Sequence, residues 1–141
     1  MGVEFLQRNI FKRILGIPGT AKPADPGCWT YADGKLTIDL KKTPELQKPC
    51  DAIRLEGRNL PERLLVVLGE DQQYKIFRNR CTHIGHRRLD PVPGTQTVQC
   101  CSVGKSTYDF EGKNVYGPAP DPIITYPTSI EGEKIISNIT S

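Results

Sequence analysis

Both histidines of this chain fall within one short segment, Cys81-Thr82-His83-Ile84-Gly85-His86. Downstream, a second cysteine segment reads Cys100-Cys101-Ser102-Val103-Gly104-Lys105-Ser106-Thr107-Tyr108-Asp109. Thiolate and imidazole are the donors that zinc and iron–sulfur centres use, and two separate loops carrying them are enough to enclose one metal group. The chain has five cysteines, an odd number, and two of them are adjacent. Neighbouring cysteines bridge poorly, so the pattern points to metal or redox chemistry and not to a disulfide scaffold. Cys28 and Cys50 lie outside both loops and read as buried or idle thiols.

The elements that must position these loops are short. Alternating or apolar runs predict strands at 35–40, 51–56, 63–68, 74–77, 96–99, 106–110, 123–126 and 134–139. Gly69-Glu70-Asp71-Gln72 predicts a hairpin turn between the third and fourth of these. Twelve prolines and thirteen glycines suit such a loop-rich β protein. The expected fold class is all-β, a small antiparallel barrel or sandwich. At the start, Val3, Leu6, Ile10 and Ile14 recur at helical spacing, and Gly16 and Pro18 end the pattern. Residues 1–28 therefore read as an amphipathic segment plus a proline-rich linker (19–27), and residues 29–141 as the domain. The apolar stripe over 3–15 packs on the barrel or on a second subunit, or else lies on an anionic membrane surface through Arg8, Lys12 and Arg13.

The remaining properties set bounds. A chain of 141 residues is one domain with a short extension, long enough to bury a core without disulfides. The net charge of +3, from 19 basic and 16 acidic residues, comes without a basic stripe, and nucleic acid is not an expected partner. No segment offers the roughly 20 apolar residues of a membrane span. With no signal-peptide pattern either, the expected location is cytoplasmic.

The two loops resemble those of the Rieske family. Its pattern is Cys-x-His, an interval of about fifteen to seventeen residues, then Cys-x-x-His followed by Gly-Ser-x-Tyr/Phe-Asp. Cys81-Thr82-His83-Ile84-Gly85 matches the first loop, and Ser106-Thr107-Tyr108-Asp109 matches the run after the second. Gly117-Pro118-Ala119-Pro120-Asp121-Pro122 is similar to the proline loop that covers the cluster in that family. The likeness spans about residues 35 to 137. It implies a Rieske-like barrel, in front of which the helical spacing at 3–15 adds a short helix. It also implies a [2Fe–2S] cluster held by Cys81, His83 and Cys101, with Ser106 and Tyr108 donating hydrogen bonds to sulfur and Pro118 covering the site.

One ligand departs from the pattern. With Ser106 and Tyr108 in register, the second cysteine is Cys101, the second histidine position is Gly104, and Lys105 stands where the family has glycine. Four outcomes stay open. The cluster is kept with Cys100 or His86 as substitute ligand; a single metal ion is bound instead; the fold is kept with an empty site; or Cys100 and Cys101 act as redox-sensing thiols beside Lys105, Arg87 and Arg88. The expected function is a small electron-transfer protein similar to soluble Rieske-type ferredoxins, with a protein redox partner and no catalytic residues of its own. The competing expectation is a degenerate Rieske-fold module for binding, assembly or thiol sensing. The chain lacks the histidines and the length for the mononuclear iron domain of a Rieske oxygenase.

Overall fold

The structure is a computed structural model that describes residues 19–81, 87–101, 105–117 and 121–139. The amphipathic stripe at 3–15 lies outside the described residues. Twelve strands form three antiparallel four-stranded sheets among the described residues. The first sheet contains β1 (Trp29–Ala32), β2 (Lys35–Asp39), β12 (Lys134–Asn138) and β11 (Ser129–Glu131), in that order. The second contains β10 (Thr125–Tyr126), β5 (Tyr74–Arg78), β4 (Leu64–Leu68) and β3 (Ala52–Leu55). The third contains β6 (Leu89–Val92), β7 (Thr97–Cys100), β8 (Thr107–Asp109) and β9 (Asn114–Tyr116). The only helical turns among the described residues are two three-residue 3-10 turns, Pro26–Cys28 and Leu40–Lys42. The all-β antiparallel expectation therefore holds.

All five residues of β4 are buried, and the two cores explain why. Leu64 and Val66 pack with Leu36, Ile38, Ile135 and Trp29 of the first sheet. Leu65 and Val67 face the other way, onto Leu89, Val98 and Tyr108 of the third. The second sheet is thus the middle layer, and a strand covered on both faces reads as a continuous apolar run rather than an alternating one.

Four strands, β1, β6, β9 and β11, lie outside the sequence expectation, and the first two have clear physical causes. β1 and β2 join through Asp33-Gly34, both at positive φ (52° and 78°), which is the backbone a two-residue hairpin needs. β6 contains Pro91, which a strand tolerates at an edge, and β6 is the edge of its sheet. The expected linker at 19–27 is tied to the domain: both oxygens of the buried Asp90 carboxylate accept the Gly19 and Thr20 amides, at 2.8 and 2.7 Å. The Ala21 carbonyl accepts the Arg54 amide at 3.0 Å.

Candidate metal centre

The first of the two motif loops leaves the end of β5. The Asn79 amide donates to the Arg63 carbonyl at 2.8 Å, and the Asn79 side-chain oxygen accepts the Leu89 amide at 2.7 Å. Two residues on, the Cys81 amide donates to the Arg87 carbonyl at 2.8 Å. These bonds close the neck of the loop on the start of β6. The second loop leaves the end of β7. There the Cys101 amide donates to the Arg88 carbonyl at 3.0 Å, and the Cys100 amide donates to the Ser106 carbonyl at 2.7 Å. Cys81 and Cys101 therefore hang from successive carbonyls of the same short segment, whose Cα atoms are about 3.8 Å apart. That segment brings Cys81 and Cys101 to the same part of the domain.

Cys81, Cys100 and Cys101 are all buried thiols. The Cys81 Sγ lies 3.3 Å from the Tyr108 hydroxyl, a hydrogen bond in which either atom can donate. Tyr108 is fully buried and belongs to the same apolar cluster as Cys81 and Cys100. Along β7, Val98 and Cys100 share the face toward that cluster. Gln99 points the other way, its Nε2 donating to the Thr107 hydroxyl at 3.1 Å. Among the described residues, no three Cys, His, Asp or Glu side chains converge as on a metal ion. His83, His86, Gly104 and Pro118 lie outside the described residues.

Two backbone positions frame the second loop. Lys105 has φ +55°, the left-handed region that glycine occupies freely and other residues at a cost. The register that makes Cys101 the ligand puts Lys105 where the Rieske pattern has glycine, so the backbone here keeps a glycine-like conformation. Gly117, at φ +95°, lies against Ser106: a Cβ built there would be 2.5 Å from the Ser106 Cα and 2.8 Å from its hydroxyl oxygen. Only glycine lets the start of the proline loop approach Ser106, itself buried, this closely.

The surroundings are rich in arginine. Glu62 accepts a hydrogen bond from Arg78 and lies 3.9 Å from Arg80. Burial lowers the Arg63 pKa, and the Arg88 and Arg80 charges lower it further. Arg88 pairs through both Nε and Nη2 with the Glu56 carboxylate, which Arg54 also contacts at 3.0 Å. Burial pushes the Glu56 carboxyl up, but the hydrogen bonds and charges of Arg88 and Arg54 outweigh it and hold the group below its ordinary range. A cleft of about 300 Å³ opens beside Cys81, lined by Arg78, Arg80 and residues 121–124.

Cys28 and Cys50 are elsewhere. Cys28 packs in the core on the far side of the middle sheet, and the Cys50 amide bonds the Leu68 carbonyl. Burial pushes both thiols up, away from the reactive thiolate form. The sequence reading did not single out Asn79 or Glu56. Asn79 precedes Cys81 by two residues, and Glu56 closes a strand distant in sequence, so neither carries a local signal.

The Rieske [2Fe-2S] domain family model matches residues 38–127. Among solved structures, the chain is similar to the plasma membrane Rieske protein PetC3 from Synechocystis PCC 6803, at 21% identity and a TM-score of 0.51, covering 61% of this chain and 84% of that one. It is also similar to the ferredoxin of carbazole 1,9a-dioxygenase from Nocardioides aromaticivorans IC177, at 14% identity and a TM-score of 0.55, covering 74% and 95%. An oxygenase and ferredoxin complex of carbazole 1,9a-dioxygenase matches at 18% identity and a TM-score of 0.58, over 77% of this chain and 29% of that one. No curated protein matches the chain. At these identities the structures share its fold, and the family model covers the segment holding both loops, Cys81 to Tyr108: the chain belongs to the Rieske [2Fe-2S] domain family.

Proposed function

We propose that this protein is a small one-electron carrier holding a [2Fe–2S] cluster between its two loops. In this reading Cys81 and His83 are ligands from the first loop and Cys101 from the second, with Cys100 or His86 as the fourth. The observation that carries the reading is the buried hydrogen bond between the Tyr108 hydroxyl and the Cys81 sulfur. A tyrosine from β8 reaching a cysteine of the other loop is a donor placed on a ligand sulfur, one of the levers by which a protein tunes such a group. A second observation fits. The Asn79 side-chain nitrogen is buried and has no hydrogen-bond partner among the described residues. A buried donor left unmatched costs about 1–3 kcal/mol, so an acceptor in or beside the occupied loop suits it.

When bound, the cluster supplies reversible one-electron chemistry. The residues around it do the rest. Tyr108 donates to the thiolate of Cys81, and Gly117 packs closely against Ser106. The arginines offset the negative charge of the thiolates. Chemistry on an organic substrate belongs to a protein redox partner, as the pairing of a ferredoxin with its oxygenase in a similar structure suggests. The second reading, a degenerate module that binds or senses without iron, is favoured by one observation: Gly104 stands at the second histidine position and cannot ligate.

The variants Cys100→Ser and His86→Ala test the ligand set in protein purified without oxygen. The expected result is loss of visible absorption and of the reduced-state paramagnetic resonance in one variant and not the other. If Cys100 is the ligand, the extra thiolate should place the potential between those of Rieske and four-cysteine clusters. If His86 is the ligand, the potential and its pH dependence should remain Rieske-like. A colourless wild-type protein would favour the degenerate module.

A further inference from the structure

We propose that Glu56 and Arg88, with Arg54, form a charge-setting network that positions Cys101 and fixes the net charge facing it; this rests on the cluster reading. The route is continuous. The Cys101 amide bonds the Arg88 carbonyl at 3.0 Å. The Arg88 guanidinium meets both Glu56 oxygens, with Nη2 donating to Oε1 at 3.0 Å. Arg54 donates to Oε2 of the same carboxylate at 3.0 Å. Arg54 also donates through Nε to the Thr20 carbonyl at 2.9 Å and through its amide to Ala21. The Glu56 side chain is only 13% exposed, so solvent screens this network weakly.

Two guanidiniums share one carboxylate, which leaves one net positive charge beside the second cysteine. The Arg88 pKa is raised, chiefly by the Glu56 hydrogen bond, and the Cys101 charge contributes in the same direction. The Arg88 carbonyl accepts the Cys101 amide, so the guanidinium is one side chain's length from the backbone that carries Cys101. A positive charge near the site favours whichever state carries one more electron. Glu56 is thus a positioning residue with a definite sign: it keeps Arg88 in place and cancels half of the cationic charge. The same network holds residues 20 and 21, so it ties the chain leading into the domain to the carbonyl that carries Cys101.

The test compares Glu56→Gln, Arg88→Gln and Arg54→Gln by equilibrium redox titration of protein purified without oxygen, with circular dichroism as the fold control. Glu56→Gln uncovers a positive charge and should raise the potential. Arg88→Gln and Arg54→Gln each remove one and should lower it. Arg54→Gln leaves the Arg88 carbonyl and side chain untouched, so it keeps the test intact should either of the other variants fail to fold. Shifts of the same sign in all three variants, or no shift in any, would overturn the proposal. If the wild-type protein takes up neither iron nor sulfide, the carrier reading falls, and the inference is read on the metal-free protein. There, deuterium exchange of the Cys101 backbone amide, read by NMR, should be faster in Glu56→Gln and Arg88→Gln, which loosen the Arg88 carbonyl that holds it. Equal rates in all four proteins would overturn it.

Discussion

Gly117 and Lys105 both take up left-handed backbone beside the ligand loops, and substitution at the two should have opposite consequences. At Gly117 a methyl group would press on the Ser106 backbone as well as strain φ. Gly117→Ala should cost about 2–4 kcal/mol of stability, read by denaturant unfolding. Lys105→Gly removes a left-handed penalty of about 1–2 kcal/mol but adds roughly 1 kcal/mol of backbone entropy loss, so its unfolding midpoint should stay close to wild type or rise. Tyr108→Phe deletes the hydroxyl on the Cys81 sulfur while keeping the ring in the core. It should lower stability by about 0.5–1.5 kcal/mol. In the loaded protein it should also lower the potential, since a donor to sulfur favours the more negative reduced state. One contact at this scale was legible in the sequence. Cys81, Cys101, Ser106 and Tyr108 stood out because a motif fixes their spacing, and the structure brings Cys81 and Tyr108 into contact. Asn79 and Glu56 were not legible, because their partners, Leu89 and Arg88, are set by tertiary packing and not by spacing.

The elements followed the sequence where burial writes a pattern and escaped it where turn chemistry or an edge position decides. The apolar run at 63–68 became β4, and the turn at 69–72 joins it to β5. Pro91 argues against a strand unless the strand is an edge, which one chain segment cannot reveal. The Asp33-Gly34 pair was the available signal for the β1–β2 hairpin. Because β4 serves two cores, truncating either of its faces should be costly. Leu65→Ala, on the side that carries the ligand loops, should lose about 3 kcal/mol. The bond from β3 to β6 through Glu56 predicts a pH dependence. The folded-state pKa of Glu56 is held below its ordinary value of 4.5, so its contribution is present above that value and is lost as pH falls through the depressed one. Wild-type stability should therefore fall on acidification below about pH 4.5 more steeply than that of Glu56→Gln, as measured by urea unfolding across pH.

For the molecule as a whole, two cores and three sheets hold the described residues together, with Cys81 and Cys101 anchored on the segment that leads into β6. Removing residues 1–18 should leave its melting temperature nearly unchanged and should alter association with a partner, a second subunit or anionic vesicles. Extending the deletion through residue 21 also removes the partners of Asp90 and Arg54, and should destabilise the domain measurably. No described helix is long and apolar enough to cross a membrane. The proposed carrier requires that the two loops, lacking the second histidine at Gly104, hold iron and sulfide together. The direct measurement is iron and acid-labile sulfide per chain in protein purified without oxygen, beside Cys81→Ser as control. About two irons and two sulfides per wild-type chain, with neither in the variant, is the predicted result. A folded wild-type protein with no iron and no sulfide would contradict it.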